Sequence, residues 1–411
     1  MYSINTRKPL SMKSCLFMMV MYFVIIYIFS IDLWYHILGK SNVFRVIFFC
    51  LILISISLYM LSQQFFVFTI TSYSFLLYIC YCFFYCIEGG HGVIYESIYT
   101  YCFLPFSYVG FIYLLTQCGA KKTIAWVIVI SLIISILSIY EYYTKRSIIL
   151  GDYLGLYFRS SVFADSCLSL ACQLGVGVVL CITQYAISKK IVFLIGAGVC
   201  VFGLLTTGSR GPFVGCVISI LVFAFYGFKA KNRNTRILLI ALLCFGVLTL
   251  VMVFASGIIV FDKNSFLWRI QSIFDWKTDT GNLERLRRWN IYIKLFLDRP
   301  LLGHGPGYCL NSPFGVAESG VLQRLVELGL VGSFLYYSFI LSLFFKSFYD
   351  LKRFNKKERT YMCGLLSSCL CILVEDCVLQ IYESTIVMTL LYIILASVFV
   401  LRCDKRGLEV K

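Results

Sequence analysis

The sequence predicts an all-α polytopic integral membrane protein with about twelve transmembrane helices and one large extracytoplasmic loop. Of its 411 residues, 60% are hydrophobic and 14% are charged, against roughly half and a quarter in soluble proteins. Apolar runs long enough to span a bilayer recur along the chain, and Lys and Arg collect in alternate connections. This pattern excludes a soluble globule and a disordered chain, and it predicts a single membrane domain over residues 1–411.

The predicted spans follow one another from the first helix to the last. An apolar run of about 18 to 25 residues is long enough to cross roughly 30 Å of hydrocarbon as a helix. The runs lie near 15–32, 43–61, 65–87, 97–117, 123–143, 167–187, 190–207, 212–228, 237–260, 321–345, 361–381 and 384–401.

The distribution of basic residues predicts the orientation of these spans. With the N-terminus inside, the inside segments hold 21 of the 36 Lys and Arg residues, and the short outside loops hold six. Basic residues concentrate in short cytoplasmic loops of membrane proteins. Both termini are therefore predicted to be cytoplasmic, and the formal charge of +16 reflects topology, which removes the main argument for a nucleic-acid partner.

Cysteine and histidine give no support for a metal site or a disulfide framework. Most of the 19 cysteines lie inside apolar runs, where Cys behaves as a small hydrophobic residue. The three histidines form no zinc-binding spacing with each other or with Cys. We therefore predict neither a metal nor a cofactor.

The predicted outside segment 261–320 is unusually long, and long loops in compact proteins tend to be functional. Residues 283–297 have apolar positions three to four apart, which predicts an amphipathic helix lying on the outer membrane surface. At 100° per residue, Arg285 lies about 40° from Trp289 on the apolar face and Arg287 about 160° away. Arg285 is therefore predicted to point into the protein, where a substrate contact, an ion pair or a cation–π contact would each suit it.

Three predicted helices begin at the outer side directly after polar segments. These segments contain Arg159, Arg210 and Glu318. Helix N-termini present free N–H groups and partial positive charge, so together with arginine they suit an anion such as a phosphate.

Each candidate also has a structural interpretation that the sequence leaves open. Arg210 suits snorkelling or topology as well as binding, and Arg159 suits a loop cation. Glu318 suits a cap at the positive end of a helix. His304, in the Gly-rich stretch 303–307, suits a general base or a purely structural turn.

The order and spacing of these segments resemble the O-antigen polymerase and ligase superfamily of bacterial polysaccharide enzymes. The most specific parts are Thr-x-Ser-Arg-Gly at 207–211 and Pro-x-x-Gly-x-Gly-x-Gly at 300–307. The matching segments are 159–165, 204–211, 285–289, 298–307 and 318–332. The resemblance covers about 140–345 and implies a GT-C-like fold, with 261–320 as a long periplasmic loop in the bacterial inner membrane.

The resemblance implies transfer of a growing glycan from undecaprenyl diphosphate to another lipid-linked repeat unit. Its implied partners are the undecaprenyl-diphosphate-linked oligosaccharide, a chain-length regulator, a flippase and the lipid bilayer. A diphosphate is an activated leaving group, so the enzyme needs cations and an oriented acceptor hydroxyl rather than a nucleophile. The implied substrate-binding residues are Arg159, Arg210, Arg285 and Arg288, and the implied catalytic residues are Glu318 and His304.

Two departures from the family pattern bear on the choice of reaction. Residues 164–166 read Ala-Asp-Ser where the family has Asp-Pro-Asn, and Glu318-Ser319 stands where the ligase branch has a histidine. The second departure favours a polymerase over a ligase. An O-antigen ligase, a polysaccharide flippase or transporter, and a non-catalytic scaffold remain alternatives, although no repeat relates the two halves of the chain as transporters often show.

Overall fold

The computed structural model describes residues 70–89, 97–149, 159–164, 166–227, 280–379 and 384–406. Within these ranges the chain is helical and has no β-strand. The helices are α1 (Ile70–Gly89), α2 (Leu104–Cys118), α3 (Ala120–Thr144), α4 (Cys167–Ser188), α5 (Ile191–Thr206), α6 (Arg210–Gly227), α7 (Thr280–Asp298), α8 (Gly320–Asp350), α9 (Lys356–Asp376) and α10 (Thr385–Arg406). A π-helical turn, Tyr99–Phe103, leads into α2, and a 3₁₀ turn, Leu351–Arg353, follows α8.

Five helical segments in the described ranges are long and apolar enough to cross a membrane, and three shorter apolar helices accompany them. The five are Tyr99–Thr116, Ala120–Thr144, Cys167–Ser188, Gly320–Arg353 and Thr385–Asp404. The predicted spans near 15–32, 43–61 and 237–260, the first part of the outer loop and both chain termini lie outside the described residues. The all-helical class is thus observed, whereas the total of twelve spans stays a prediction.

The eleventh predicted span, 361–381, is displaced from the observed helix, since α9 runs from Lys356 to Asp376. Asn355 caps this helix, because its side-chain oxygen accepts a hydrogen bond from the Glu358 N–H at 2.9 Å. The charged residues of the first turn lower the hydropathy there, so the hydropathy pattern places the start of the span after the true start of the helix. Hydropathy locates the buried part of a helix but not its polar cap.

α8 is interrupted at Gly329, where the backbone leaves helical geometry with φ 64° and ψ −168°. The amides freed by the break bond to the chain that precedes α8. The Leu330 N–H donates to the Pro300 carbonyl at 2.8 Å, and the Val331 N–H donates to the Leu301 carbonyl at 3.1 Å. The tenth predicted span therefore consists of two helical pieces that meet at Gly329. The carbonyls of residues 300–301 pair with the amides that the break frees, as a membrane interior requires.

Close backbone approach explains two glycines at this break. A Cβ atom on Gly303 would lie 2.6 Å from the Gly329 nitrogen, so a side chain cannot fit at that position. Tyrosines of α1 satisfy neighbouring carbonyls: the Tyr81 hydroxyl donates to Leu328 at 2.9 Å and the Tyr85 hydroxyl donates to Gly303 at 3.0 Å. The outer loop is thereby fastened to both α8 and α1.

The centre of the bundle is formed by α4, α9 and α10, which are buried along most of their length. α10 is apolar on every side and packs against α2, α9, α8 and α4, as expected for a helix surrounded by protein. α3 and α8 instead keep large apolar side chains exposed, including Trp126, Ile133, Phe334 and Phe345. Such surfaces suit contact with lipid.

The bundle has two chemically different ends. At one end, called the loop end here, α4, α6 and α8 begin and α9 finishes. At the other, called the lysine end, α3 and α9 begin and α8 and α10 finish, with Lys121, Lys189, Lys352 and Lys357 nearby. The candidate site residues predicted from the sequence all belong to the loop end.

Candidate functional site

The starts of α6 and α8 meet at the turn that follows α9. The Gly320 N–H donates to the Leu379 carbonyl at 2.9 Å. A Cβ on Gly211 would lie 3.2 Å from Val378 and 3.4 Å from Leu379. Two helix N-termini therefore lie side by side, one beginning with Arg210 and the other two residues after Glu318. Helix N-termini attract anions.

α7 supplies the third part of this end through the face that packs on the protein. Arg285, Arg288 and Tyr292 are spaced three and four residues apart and so share one side of the helix. Tyr292 is fully buried in a small cluster with Cys309 and Ala317. Burial raises the pKa of Tyr292 to about 12, so this tyrosine stays neutral while it anchors the arginine-bearing face.

The two remaining faces of α7 point away from the bundle. Leu286, Ile293 and Leu297 are exposed along one side, and Arg287 and Lys294 lie on the side opposite the packed face. A helix with one packed, one apolar and one charged face suits a position parallel to a membrane surface. The structure has a helix at Thr280–Asp298, where the sequence predicts one at 283–297, and its position on the outer membrane surface stays a prediction.

Arg285 and Arg288 converge on one carboxylate. The Arg285 Nε donates to Glu318 Oε2 at 2.8 Å, and the Arg288 Nη1 lies 3.2 Å from Glu318 Oε1. All three side chains are partly exposed. Arg285 is less exposed than Arg287, at 35% against 66% of the side chain, in the order that the helical spacing predicts, but Arg288 is less exposed than either, at 25%.

Glu284 lies beside this cluster on the solvent side. Its carboxylate accepts hydrogen bonds from Arg287 and Arg288, each at 3.1 Å from Nε. These hydrogen bonds, the one from Arg287 foremost, hold the pKa of Glu284 below its usual value. Arg288 thus bridges Glu284 and Glu318, whereas Arg285 pairs with Glu318 rather than with its sequence neighbour.

Glu318 occupies an unusual backbone conformation. Its φ of 51° falls in the left-handed region, which costs a residue with a side chain roughly 1–2 kcal/mol. The next residue, Ser319, caps α8 by accepting a hydrogen bond from the Leu322 N–H at 3.3 Å. The cap role considered for Glu318 therefore belongs to Ser319, and the Glu318 side chain is directed to the arginines. Such strained positions concentrate at functional sites.

Arg159 ties the loop before α4 to the junction between α5 and α6. Its Nε donates to the Thr207 carbonyl and its Nη2 to the Ser209 hydroxyl, both at 2.8 Å. Arg210 follows as the first residue of α6 and is partly exposed. The structure therefore places Arg159 beside the start of α6, while Asp165 lies outside the described residues.

His304 is held away from the arginine cluster. Its Nε2 lies 2.8 Å from the Leu295 carbonyl, and its ring stacks on Tyr308 with centroids 4.5 Å apart. Arg285 and Leu295 are ten residues apart on α7, about 15 Å along the helix. His304 and Glu318 thus contact opposite ends of α7, and the His304 ring contributes to loop packing.

Buried Glu141 is a site residue that the sequence interpretation missed. Its Oε2 accepts hydrogen bonds from the Ser160 hydroxyl at 2.6 Å, the Ser161 N–H at 3.1 Å and the Val162 N–H at 3.0 Å. These contacts shape the loop that carries Arg159. A glutamate at the end of an apolar span was a visible signal, because ionisable residues in membrane segments usually have a function.

Arg324 and Asp376 form a second, wholly buried ion pair near the start of α8. Arg324 also donates to the Tyr337 hydroxyl at 3.0 Å and lies over the Tyr336 ring at 4.3 Å. The neighbouring Glu375 is fully buried as well. The sequence around Asp376 does not reveal this partner, which lies 52 residues away.

Glu327 fastens the Gly-rich loop to the bundle. Its buried carboxylate accepts hydrogen bonds from the Cys309 N–H at 2.8 Å, from the Gln323 amide at 3.4 Å and from the Tyr101 hydroxyl. The loop that carries His304 is therefore fixed by a carboxylate of α8.

The assembled site presents cations and helix N-termini at one end of the bundle. Arg159, Arg210, Arg285 and Arg288 all belong to it, with Glu318 as the carboxylate between the last two. In the described ranges, no group of three or more His, Cys, Asp or Glu residues is arranged to hold a metal. Such a site can bind a polyanion and can accept a proton at Glu318.

Comparison with known families agrees with this arrangement. Residues 195–337 match the Wzy_C family model, described as O-antigen ligase. The match covers about a third of the chain and runs from α5 to the middle of α8, including Arg210, Arg285, Arg288 and Glu318. No curated protein matches the chain. The segment that carries Arg210, Arg285, Arg288 and Glu318 is therefore similar to the O-antigen ligase family.

Proposed function

We propose that the protein is a metal-independent polysaccharide polymerase. It transfers a growing O-antigen, capsule or exopolysaccharide chain from undecaprenyl diphosphate to another lipid-linked repeat unit. The single observation that carries this proposal is the convergence of Arg285 and Arg288 on Glu318 beside two helix N-termini. The similarity of residues 195–337 to the O-antigen ligase family supports the proposed reaction class.

The ion pairs at Glu318 suggest how substrate binding prepares the site. A diphosphate offers each guanidinium more acceptor oxygens than one carboxylate, and arginine binds phosphate through a planar fork. A bound diphosphate would therefore take over Arg285 and Arg288 and release Glu318. The released carboxylate would stand at the position where the acceptor sugar arrives.

In the proposed transfer, one bond forms and one bond breaks at the anomeric carbon of the donor glycan. The acceptor hydroxyl oxygen bonds to the anomeric carbon of the donor glycan as the bond from that carbon to the diphosphate oxygen breaks. The proton of the hydroxyl passes to Glu318, and undecaprenyl diphosphate leaves with the electron pair. Arg285 and Arg288 offset the charge that develops on the leaving oxygen, which is the main requirement of such a step.

The other arginines have supporting parts in this proposal. Arg210 at the first turn of α6 is proposed to contact the diphosphate from the opposite side. Arg159 is engaged with Thr207 and Ser209, so we assign it chiefly to holding the α6 start in place. His304 is bonded to the Leu295 carbonyl, so Glu318 is the preferred proton acceptor.

The ligase reaction is the second candidate, because the matching family is described as O-antigen ligase. A ligase would use the same donor and pass the finished chain to a different anchor. Glu318-Ser319 occupies the position where the ligase branch has a histidine, and Glu318 is the residue that both arginines contact. This substitution at the centre of the site favours the polymerase.

The product of the reaction tests the assignment directly. A deletion strain complemented with the intact gene should make long surface polysaccharide, whereas the deletion alone should leave a surface molecule with one repeat unit. Long chains stranded on the lipid carrier with none on the surface anchor would overturn the polymerase in favour of a ligase. Single repeats stranded on the cytoplasmic side would overturn both in favour of a flippase.

The site is proposed to open to the periplasm, with the lysine end in the cytoplasm of a bacterial inner membrane. Exposed Leu310 at the loop end and exposed Lys189 at the lysine end provide a matched pair for labelling. On a cysteine-depleted background, a cysteine at 310 should react with an impermeant maleimide in intact spheroplasts and one at 189 only after permeabilisation. The reverse pattern would invert the orientation and remove the site from the periplasm.

A further inference from the structure

A cavity at the lysine end, far from the arginine cluster, has no role in the proposed reaction. Its volume is about 530 Å³, within the range of roughly 300–1,000 Å³ typical of small-molecule sites. Helices α3, α4, α5 and α9 enclose it, and its walls are mainly apolar, with Ile128, Leu132, Ile187 and Phe193 among them. The cavity therefore suits a largely apolar ligand.

The polar groups of the cavity are grouped at its mouth. Lys121 from the first turn of α3 and Lys357 from the first turn of α9 line it together with Glu358. Neither lysine forms a salt bridge with a carboxylate in the described ranges. Glu358 lies beside these lysines in the cavity wall, and Asp404 of α10 also interacts electrostatically with Lys121. The mouth thus offers two ammonium groups to an anion, with two carboxylates nearby.

The start of α3 adds positive charge at the mouth, whereas Asn355 caps the start of α9. α3 begins at Ala120 with no side-chain cap, and Lys121 in its first turn lines the cavity. The partial positive charge of this helix start therefore lies beside the cavity. Lysine in the first turn of a helix opposes the helix dipole, so helix stability does not account for these two positions. An anion bound between Lys121 and Lys357 would offset the repulsion between each lysine and the dipole of its helix.

The shape of the cavity matches one lipid chain. From Lys121 to Leu132 the cavity follows α3 over eleven residues, about 16 Å, which is close to the thickness of one leaflet, about 15 Å. The same helices α3 and α5 carry exposed apolar side chains, among them Trp126, Ile133 and Ile195. The cavity therefore extends from a charged mouth along a surface that suits lipid.

We propose that this cavity binds an anionic glycerophospholipid, with the phosphate headgroup between Lys121 and Lys357 and one acyl chain along α3. Gln184 at the same cavity supplies an amide donor for the headgroup. The bound lipid joins four helices at the end of the bundle opposite the arginine cluster. The proposal does not depend on the reaction proposed for the other end.

Lipid retention by the purified full-length protein tests the proposal. Delipidated protein would be titrated with phosphatidylglycerol, phosphatidylethanolamine or phosphatidylcholine of identical chains, and bound lipid counted by native mass spectrometry. We expect one phosphatidylglycerol to be retained in preference to the other two lipids. A basic residue near a lipid surface contributes about fivefold in affinity, so Lys121→Gln with Lys357→Gln should weaken retention about 25-fold.

Two further variants separate a specific site from general attraction. Lys189→Gln with Lys190→Gln removes the same charge from exposed positions at the same end, and it should leave retention unchanged. Val129→Trp, at a partly exposed wall of the cavity, should displace the chain while preserving both lysines. Equal loss in both lysine pairs, equal retention of all three lipids, or stronger retention of a polyprenyl phosphate would each overturn the proposal.

Discussion

Two arginine–carboxylate clusters near the start of α8 differ chiefly in their exposure to solvent. In the Arg324–Asp376 pair the side chains are 2% and 4% exposed, whereas in the Arg285–Glu318 pair they are 35% and 27% exposed. A buried pair cannot lose one partner without leaving an unpaired charge. A partly exposed pair can exchange its partner for a ligand. The same chemistry therefore serves structure in one cluster and, on our proposal, binding in the other.

The largest effect is expected from breaking the buried pair. Asp376→Asn removes the charge that compensates Arg324 and should destabilise the protein by about 3–5 kcal/mol. Thermal unfolding of the purified protein measures this loss. Glu375→Gln is the matched control, because Glu375 is equally buried in the same helix but forms no salt bridge in the described ranges. Equal melting temperatures for the two variants would contradict the structural role of the pair.

A glycine substitution tests whether the loop end is rigid enough to hold the exposed cluster in place. A Cβ on Gly329 would lie 2.2 Å from the Leu301 carbonyl oxygen, and the backbone there is in a region open essentially to glycine alone. Gly329→Ala should therefore destabilise the protein by about 3 kcal/mol. Gly198→Ala is the control, since a Cβ there meets nothing within 4 Å. A wild-type melting temperature for Gly329→Ala would show that the break in α8 can be remodelled.

Substitution in the exposed cluster should change activity and leave stability nearly intact. Arg285→Lys and Arg288→Lys keep the charge but lose the planar fork, so each should lower polymer formation about tenfold or more. Arg287→Lys, on the solvent face of the same helix, should have no effect. The length distribution of surface glycan at matched protein level measures the difference. Full-length polymer from both variants would contradict the proposal that Arg285 and Arg288 bind the diphosphate.

The smallest effect is expected at Glu284, the outermost member of the exposed cluster. Hydrogen bonds from Arg287, which has the larger effect, and from Arg288 lower the pKa of Glu284 in the folded protein. The stability that Glu284 contributes is therefore present at pH values above its pKa in the unfolded chain, about 4.3, and is lost as the pH falls through its lower pKa in the folded protein. Glu284→Gln should lower the melting temperature slightly at pH 7 and not at pH 3. A larger difference at the acidic pH would contradict this sign.

Local sequence patterns were sufficient for the helical part of the site. The spacing of apolar residues located α7, and the same helical geometry correctly ordered Arg285 as less exposed than Arg287. Polar residues before an apolar run likewise located the starts of α4 and α8. These features depend on neighbours within a few residues, which a sequence shows directly.

Long-range contacts account for what the sequence could not show. Glu327 binds Tyr101 from 226 residues away, so neither residue reveals its partner. The break at Gly329 lies in the apolar stretch 328–331, whose pattern continues that of a helix. Only the approach of residues 300–303 shows that this glycine interrupts α8. His304 fits a catalytic pattern equally well until its bond to the Leu295 carbonyl is seen.

The paired backbone at the break in α8 restricts how the outer loop can move. The amides of His304 and Gly305 donate to Val326 and Glu327 at 2.8 Å and 2.9 Å, in line with those of Leu330 and Val331. Detaching the loop would expose all of these groups at once, so it must travel with α8 as one body. On the proposed function, a sugar chain would therefore pass along a fixed wall rather than wait for the loop to open. Slow hydrogen exchange at these amides would show that the loop is fixed.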